Sequence, residues 1–476
     1  MSQIAAPPSW ASPDPIRRRA AASYAEAATA TAALAAILLG CAGWALAAAE
    51  RPSFLAPPTL HGGDPAWLAG PLAGRWPALS EAIGTLRWTT SLMLLALTAL
   101  WLLATACARA VGVAPVLTAV VLVVSVLTLA PPFSLTDTFN YLHYGRMQPL
   151  FGLNPYVALP IQARHDPAYV FSTWHHLRSP YGPLFTLGLQ GLAHLSLPTA
   201  YWTLKIAVGA AALAVAGLVA LLARDTGRDP AVAVAFVMLN PLVLIYGVGG
   251  VHNDVFVLAL LLLGVLLARR RHPALAGLGG VSLAAAVAIK LSAGLALPFL
   301  LLGARRRVWT AAGLLAGAAG GMLIVSAVFA GHLPDDAQQS QLTMGLSPAN
   351  LLGLAICHGG LDAGLRHELE LLLVAGTAAL AGRAWWSRDW AAGAAWAAVL
   401  LVLTLGWVMP WYVLWILPFA ALTHRGAPRA AAIVLTVFLL VAWAPSTAPA
   451  LHRMGAHVTA TATGRVNNRF MHALLR

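Results

Sequence analysis

Apolar residues fill the chain in long runs separated by short polar breaks. The runs fall at roughly 28–49, 87–107, 111–132, 200–223, 230–248, 254–268, 273–303, 308–330, 369–387, 391–409, 411–423 and 429–445. A helix needs ~20 residues to cross ~30 Å of hydrocarbon with its backbone bonds satisfied internally. The pattern therefore predicts an all-α, polytopic integral membrane helical bundle of about 13 spans with ordered external loops. A further run, 183–197, is short, contains His194 and opens within SPYGP. It reads as a re-entrant or interfacial helix.

The polar breaks set the orientation. Arg17 to Arg19, Arg109, Arg224 with Arg228, Arg269 to Arg271, Arg305 to Arg307, Arg383 with Arg388, and Arg425 with Arg429 cluster between runs. Arginine-rich breaks of this kind mark the cytoplasmic side. Residues 230–268 and 273–304 each lie between two such clusters and must cross twice. Lys290 then sits near a hairpin tip on the opposite face. The organisation expected is a cytoplasmic tail at 1–27, a transmembrane catalytic bundle at 28–447 and a tail at 448–476. The external loops are 50–86, 133–182 and 331–368; long loops tend to be functional or disordered. Loop 133–182 is rich in aromatics, His and Pro, which favours order. No cleavable leader is expected, because the first apolar run is long enough to remain a span.

Composition agrees. Only 9% of the 476 residues are charged, against about 25% in soluble domains. A soluble enzyme, a disordered chain and a nucleic-acid binder are all excluded. The net charge of +13 comes from 27 Arg and two Lys against 16 acids, a topology signal rather than a phosphate-contact surface. Cys41, Cys107 and Cys357 lack CxxC spacing and read as small apolar residues. No P-loop, HExxH or Asp-x-Asp occurs, so the sequence requires no metal or other cofactor.

Few residues remain that can do chemistry. Asp137 opens DTFNYLHYGR directly after an apolar run. Thr136 or Asp137 can cap the next helix; alternatively Asp137 is a general base at the membrane surface. Tyr141 and Tyr144 follow at i+4 and i+7, on the same helical face, and Arg146 is close behind. A carboxylate, phenols and a guanidinium on one face suit a sugar or phosphate. His252, Asn253 and Asp254 stand where a span begins. They either start that helix or bind sugar hydroxyls, and the helix amides there favour an anion. Lys290 is either a snorkelling cation or a fixed partner for a lipid phosphate or for Asp254. An ionisable group at membrane depth is a functional candidate by default. His194 and His272 read as structural, His175 and His176 as possible site-lining residues, and Trp411, Tyr412 and Trp415 as an interfacial aromatic belt.

Four stretches taken together, DTFNYLHYGRMQPLFGLNPY, SPYGPLF, LNPLVLIYGVGGVHNDVFVLALLLLG and AAAVAIKLSAGLALPFLLLG, resemble the actinobacterial polyprenyl-phosphomannose-dependent alpha-1,6-mannosyltransferases. The likeness covers roughly residues 110–310. It implies the GT-C class of membrane glycosyltransferases, in the plasma membrane with the active site facing outward. Partners implied are a lipid-linked sugar donor, a mannan or glycolipid acceptor of the lipomannan type, and bilayer lipids, with no nucleic acid. The resemblance places the catalytic acid at Asp137. It adds Tyr141, Tyr144, Arg146, Asn154, Tyr156, Tyr181, His252, Asn253, Asp254 and Lys290 as substrate-binding positions. The alternative function is a transporter or flippase of a lipid-linked saccharide.

Overall fold

The computed structural model describes residues 15–50, 66–75, 83–133 and 137–475. Every regular element among them is helical. Most of loop 50–86 and the capping position Thr136 lie outside the described residues.

Three long helices open the chain: α1 (Pro15–Glu50), α2 (Ile83–Val111) and α3 (Val113–Leu129). They pack on one another. The run at 183–197 forms only the eight-residue α5 (Pro183–Gln190), far too short to cross a bilayer. Before it, α4 (Asp137–Phe151) occupies the long loop. Then follow α6 (Leu197–Asp225), α7 (Pro230–Met238), α8 (Asp254–Ala268), α9 (Pro273–Ile289), α10 (Leu297–Gly303) and α11 (Arg307–Phe329). The remainder comprises α12 (Pro348–Ala355), α13 (Ala363–Ser387), α14 (Trp390–Thr404), α15 (Leu417–Leu422), α16 (Gly426–Trp443), α17 (Thr447–Arg453) and α18 (Ala462–Leu475).

Among the described residues five helices are long and apolar enough to cross a membrane: Ser23–Glu50, Arg87–Val111, Leu197–Asp225, Arg307–Phe329 and Gly426–Trp443. Shorter apolar helices pack among them, α8, α9 and α14 included. Val308, Leu315 and Leu323 on α11 and Leu92 on α2 are exposed, which suits a hydrocarbon solvent rather than water. Where helices approach closely, small residues make it possible. A Cβ on Gly313 would stand 1.9 Å from the Gly277 carbonyl oxygen, so α9 and α11 meet backbone to backbone, a common device of membrane helices.

Residues 273–304 do form a hairpin. The chain leaves along α9, breaks at Lys290 in an extended conformation, and returns through a 3-10 turn, Leu291–Ala296, and α10. Its return is fixed by Arg305 N–H donating to the Ala268 carbonyl at 3.0 Å. The arginine clusters gather at that same end of the bundle. Arg269 pairs with Asp225, Arg305 lies 4.0 Å from Asp225, Arg109 is 3.1 Å from Asp229, and Arg425 is 3.3 Å from Asp389. Asp137, Asp254 and Lys290 stand at the opposite end. Lys205, fully buried on α6, donates to the Leu127 and Ala130 carbonyls at the last turn of α3 and so ties two long helices together.

Candidate active site

The chain irregularities concentrate where the polar residues meet. Between α7 and α8 the helix widens into a π turn, Val243–Val248, a form frequent at functional sites. Val251 follows at φ 58°, an unfavourable conformation for a β-branched residue. These distortions turn the chain so that His252, Asn253 and Asp254 all point inward, each at most 1% exposed. A Cβ on Gly250 would lie 2.3 Å from the Tyr246 carbonyl and 2.7 Å from the His252 ring, so only glycine permits this fold-back.

Asp137 begins α4 and faces this turn. Its Oδ2 lies 3.3 Å from His252 Nε2, and its Oδ1 accepts from Asn140 Nδ2 at 3.3 Å. Asn140 also accepts from the Thr173 and Trp174 amides at 2.9 and 3.3 Å, which anchors the acid to the loop. The Asp137 carboxylate remains 18% exposed and opens into a cavity of about 450 Å³. That volume fits a small-molecule site.

On the other wall, Lys290 Nζ donates to both Asp254 carboxylate oxygens at 2.9 and 3.0 Å. Trp415 Nε1 donates to the same carboxylate at 2.8 Å. The ammonium sits 5.1 Å from the ring centres of both Tyr412 and Trp415, which stack on each other, a cation–π arrangement. Neither amide atom of the buried Asn253 side chain has a partner. Its side chain makes no capping bond either, and the residue lines the cavity. Buried polar atoms are normally bonded, so this amide holds bonding capacity that the protein itself does not use.

Comparison with known proteins places the chain in a family. Residues 37–306 match the family described as alpha-(1->6)-mannopyranosyltransferase, N-terminal domain. The chain belongs to this family. The match contains Asp137, His252 to Asp254 and Lys290, while the aromatic wall at 411–415 lies beyond it. Alpha-(1->6)-mannopyranosyltransferase A of Mycobacterium tuberculosis is 30% identical over 366 residues, 69% of either chain. The protein of the same name from Corynebacterium glutamicum is 28% identical over 194 residues, covering 36% of this chain and 35% of its own. A probable alpha-(1->6)-mannopyranosyltransferase of Mycolicibacterium smegmatis is 30% identical over 151 residues, 30% of this chain and 27% of its own. No solved structure matches.

Of the positions expected from sequence in this mannosyltransferase family member, Asp137, Tyr141, Tyr144, Tyr181, Asn253, Asp254 and Lys290 line one cavity. Burial, reinforced by the Asp137 charge, holds the Tyr141, Tyr144 and Tyr181 phenols well above their usual pKa. They stay protonated at neutral pH. Tyr144 already donates to the Leu177 carbonyl at 2.6 Å.

Four expected ligands are placed elsewhere. Arg146 is not a free phosphate clamp: its Nε binds Asp166 at 2.8 Å, and Nη1 binds the Ala193 and Leu195 carbonyls at 2.7 and 3.1 Å. Buried, with its Nε and Nη1 hydrogens spent on these partners, it staples the loop. Asn154 donates to the Phe329 carbonyl at 2.8 Å, and Tyr156 to the Tyr181 carbonyl at 2.9 Å; both brace the wall from outside. His252 stands behind Asp137 and does not line the cavity. His175 stacks on Tyr169 at 4.0 Å and, like His176, stays out of the lining.

Trp411, Tyr412 and Trp415, read from sequence as an interfacial belt, instead form a cavity wall on the 3-10 turn Pro410–Trp415. Asp336, Arg366 and Glu370 also line it. Burial raises the Asp336 pKa, opposed by the charge of Lys290. The C-terminal segment contributes Met471 and Leu475, and Leu474 accepts from the His176 amide at 3.0 Å. Among the described residues no group of three or more His, Cys, Asp or Glu could hold a metal ion.

Proposed function

We propose that this protein transfers mannose from a polyprenyl-phosphate carrier to a mannoside or glycolipid acceptor, with inversion, forming alpha-1,6 linkages of a lipomannan-type core. In this reading the chain crosses the plasma membrane 13 times, in a GT-C-type arrangement with the cavity facing outward and the arginine end in the cytoplasm. The observation that carries the reading is the cavity itself. A partly exposed carboxylate faces a vacant buried amide and a fixed ammonium, within a wall of aromatic rings.

Asp137 takes the proton from the acceptor hydroxyl as that oxygen attacks the anomeric carbon. The phosphate leaves with the bonding electrons, so the leaving group needs charge stabilisation rather than protonation. Lys290 keeps one donor beyond the two given to Asp254, and Arg366, held by the Ser340 and Gln341 carbonyls and the Thr343 hydroxyl, adds positive charge to the lining. One displacement inverts the centre, so a β-linked donor gives an α-linked product. A single base suffices, unlike the carboxylate pair of a retaining glycosidase.

Tyr141, Tyr181 and Trp411 offer faces for sugar rings. Leu291, Leu401 and Leu405 line the same cavity and suit the lipid. A narrow apolar slot of about 30 Å³ shares Ser292, Leu401 and Trp415 with it and would have to widen to admit a prenyl unit.

Membranes containing the protein, given radiolabelled polyprenyl-phosphomannose and a short α-mannoside, should yield an elongated mannoside. Movement of intact donor across the bilayer without elongation would favour the transporter reading instead.

A further inference from the structure

His252 is fully buried and makes a set of contacts unlike those of a sugar ligand. Its Nδ1 lies 2.5 Å from the Tyr246 carbonyl oxygen. A carbonyl only accepts, so Nδ1 carries a hydrogen. In the neutral ring Nε2 is then a lone pair, and it has no hydrogen-bond partner. It nevertheless stands 3.3 Å from Asp137 Oδ2. A lone pair facing an ionised carboxylate is unfavourable. One added proton converts the contact into a charge-assisted bond between imidazolium and carboxylate. The ring also stacks on Trp411, with centres 3.4 Å apart and planes 19° from parallel, a surface that favours the cationic form. The glycine at 250 and the left-handed Val251 hold the ring in this place.

We infer that Asp137 and His252 form a dyad that takes up one proton per transfer, with His252 the positioning residue that retains it. The inference rests on the transferase reading and deepens it. The acceptor O–H bond breaks as its oxygen bonds to the anomeric carbon. The bond from that carbon to the phosphate oxygen breaks, and its electron pair leaves with the polyprenyl phosphate. The proton goes to Asp137 and settles between Oδ2 and Nε2, later leaving to water.

The test uses the purified full-length protein in lipid nanodiscs, with polyprenyl-phosphomannose and a short α-mannoside. His252→Gln places a neutral donor near Asp137 that can orient the carboxylate but cannot hold the proton. His252→Phe keeps a ring on Trp411 and does neither. Both should lose on the order of 100-fold in kcat, the size of a general acid–base contribution, with both KM values nearly unchanged. Near wild-type kcat in His252→Gln would overturn the dyad and leave orientation alone, as would a loss expressed only in KM.

A second readout does not need turnover. In ¹⁵N-histidine spectra, with His252 assigned by its loss in His252→Gln, Asp137→Asn should move its protonation midpoint to lower pH. An unmoved midpoint would overturn the dyad even in an active enzyme. A coupled midpoint in a protein that transfers no mannose would uphold the pair and refute the transferase reading.

Discussion

At the arginine end of the bundle, each acid named above meets an arginine near the surface. Asp225 faces Arg269 and Arg305, Asp229 faces Arg109, and Asp389 faces Arg425. Arg109, Arg305 and Arg425 remain well exposed. At the cavity end the bonding around the acids is incomplete. Asp254 is wholly buried against Lys290 and Trp415, the Asn253 amide has no partner, and Asp137 looks onto an unbonded imidazole nitrogen. At the arginine end each of these carboxylates is completed by a guanidinium. Around the cavity bonds are left unmade, a cost that persists where a ligand completes the set.

Mutations should separate the two ends. Lys290→Met leaves the Asp254 carboxylate buried without its cation. Losing one partner of a buried pair costs about 3–5 kcal/mol, so the variant should melt well below wild type in detergent and lose transfer. Unchanged melting would show that the pair is not desolvated. Asn253→Ala removes no internal bond and should melt like wild type. Its kcat/KM should fall roughly 10–100-fold, equivalent to ~1–3 kcal/mol for a hydrogen bond to substrate; equal activity would make the vacant amide incidental. Arg425→Gln at the other end should change melting by less than about 1 kcal/mol and leave kcat and KM alone. A large effect there would erase the contrast between the two ends.

Much of this contrast was legible in the chain. Run lengths gave the all-helical fold and its five long apolar helices but not the short or broken ones at 230–248 and 411–423, and the arginine breaks gave the end at which the acid–arginine pairs gather. Asp137 stood out as an acid at the edge of an apolar run, with Tyr141 and Tyr144 on its helical face. The partnership of Lys290 with Asp254 was among the readings of the sequence, because a cation in an apolar stretch needs a counter-charge.

Other features depended on tertiary placement. Arg146 sits next to the helix face of Asp137, Tyr141 and Tyr144 in sequence, but its partner Asp166 lies 20 residues on, and no local pattern announces that pair. Trp411, Tyr412 and Trp415 have the composition of an interfacial belt. Only the 3-10 turn after Met409 brings them inward. Asn140 was visible at i+3 from Asp137, yet its bonds to Thr173 and Trp174 are set by the fold of the loop. Met471 and Leu475 reach the cavity because Leu474 docks against the loop, which periodicity in the tail cannot reveal.

The central claim is that the Asp137 carboxylate removes the acceptor proton. Its most direct test is mannose transfer by purified Asp137→Asn protein, which keeps the shape of the side chain and removes its charge. Transfer should fall at least about 100-fold, the lower end of a general base's contribution, while donor binding and melting temperature hold. Transfer at the wild-type rate would contradict the account.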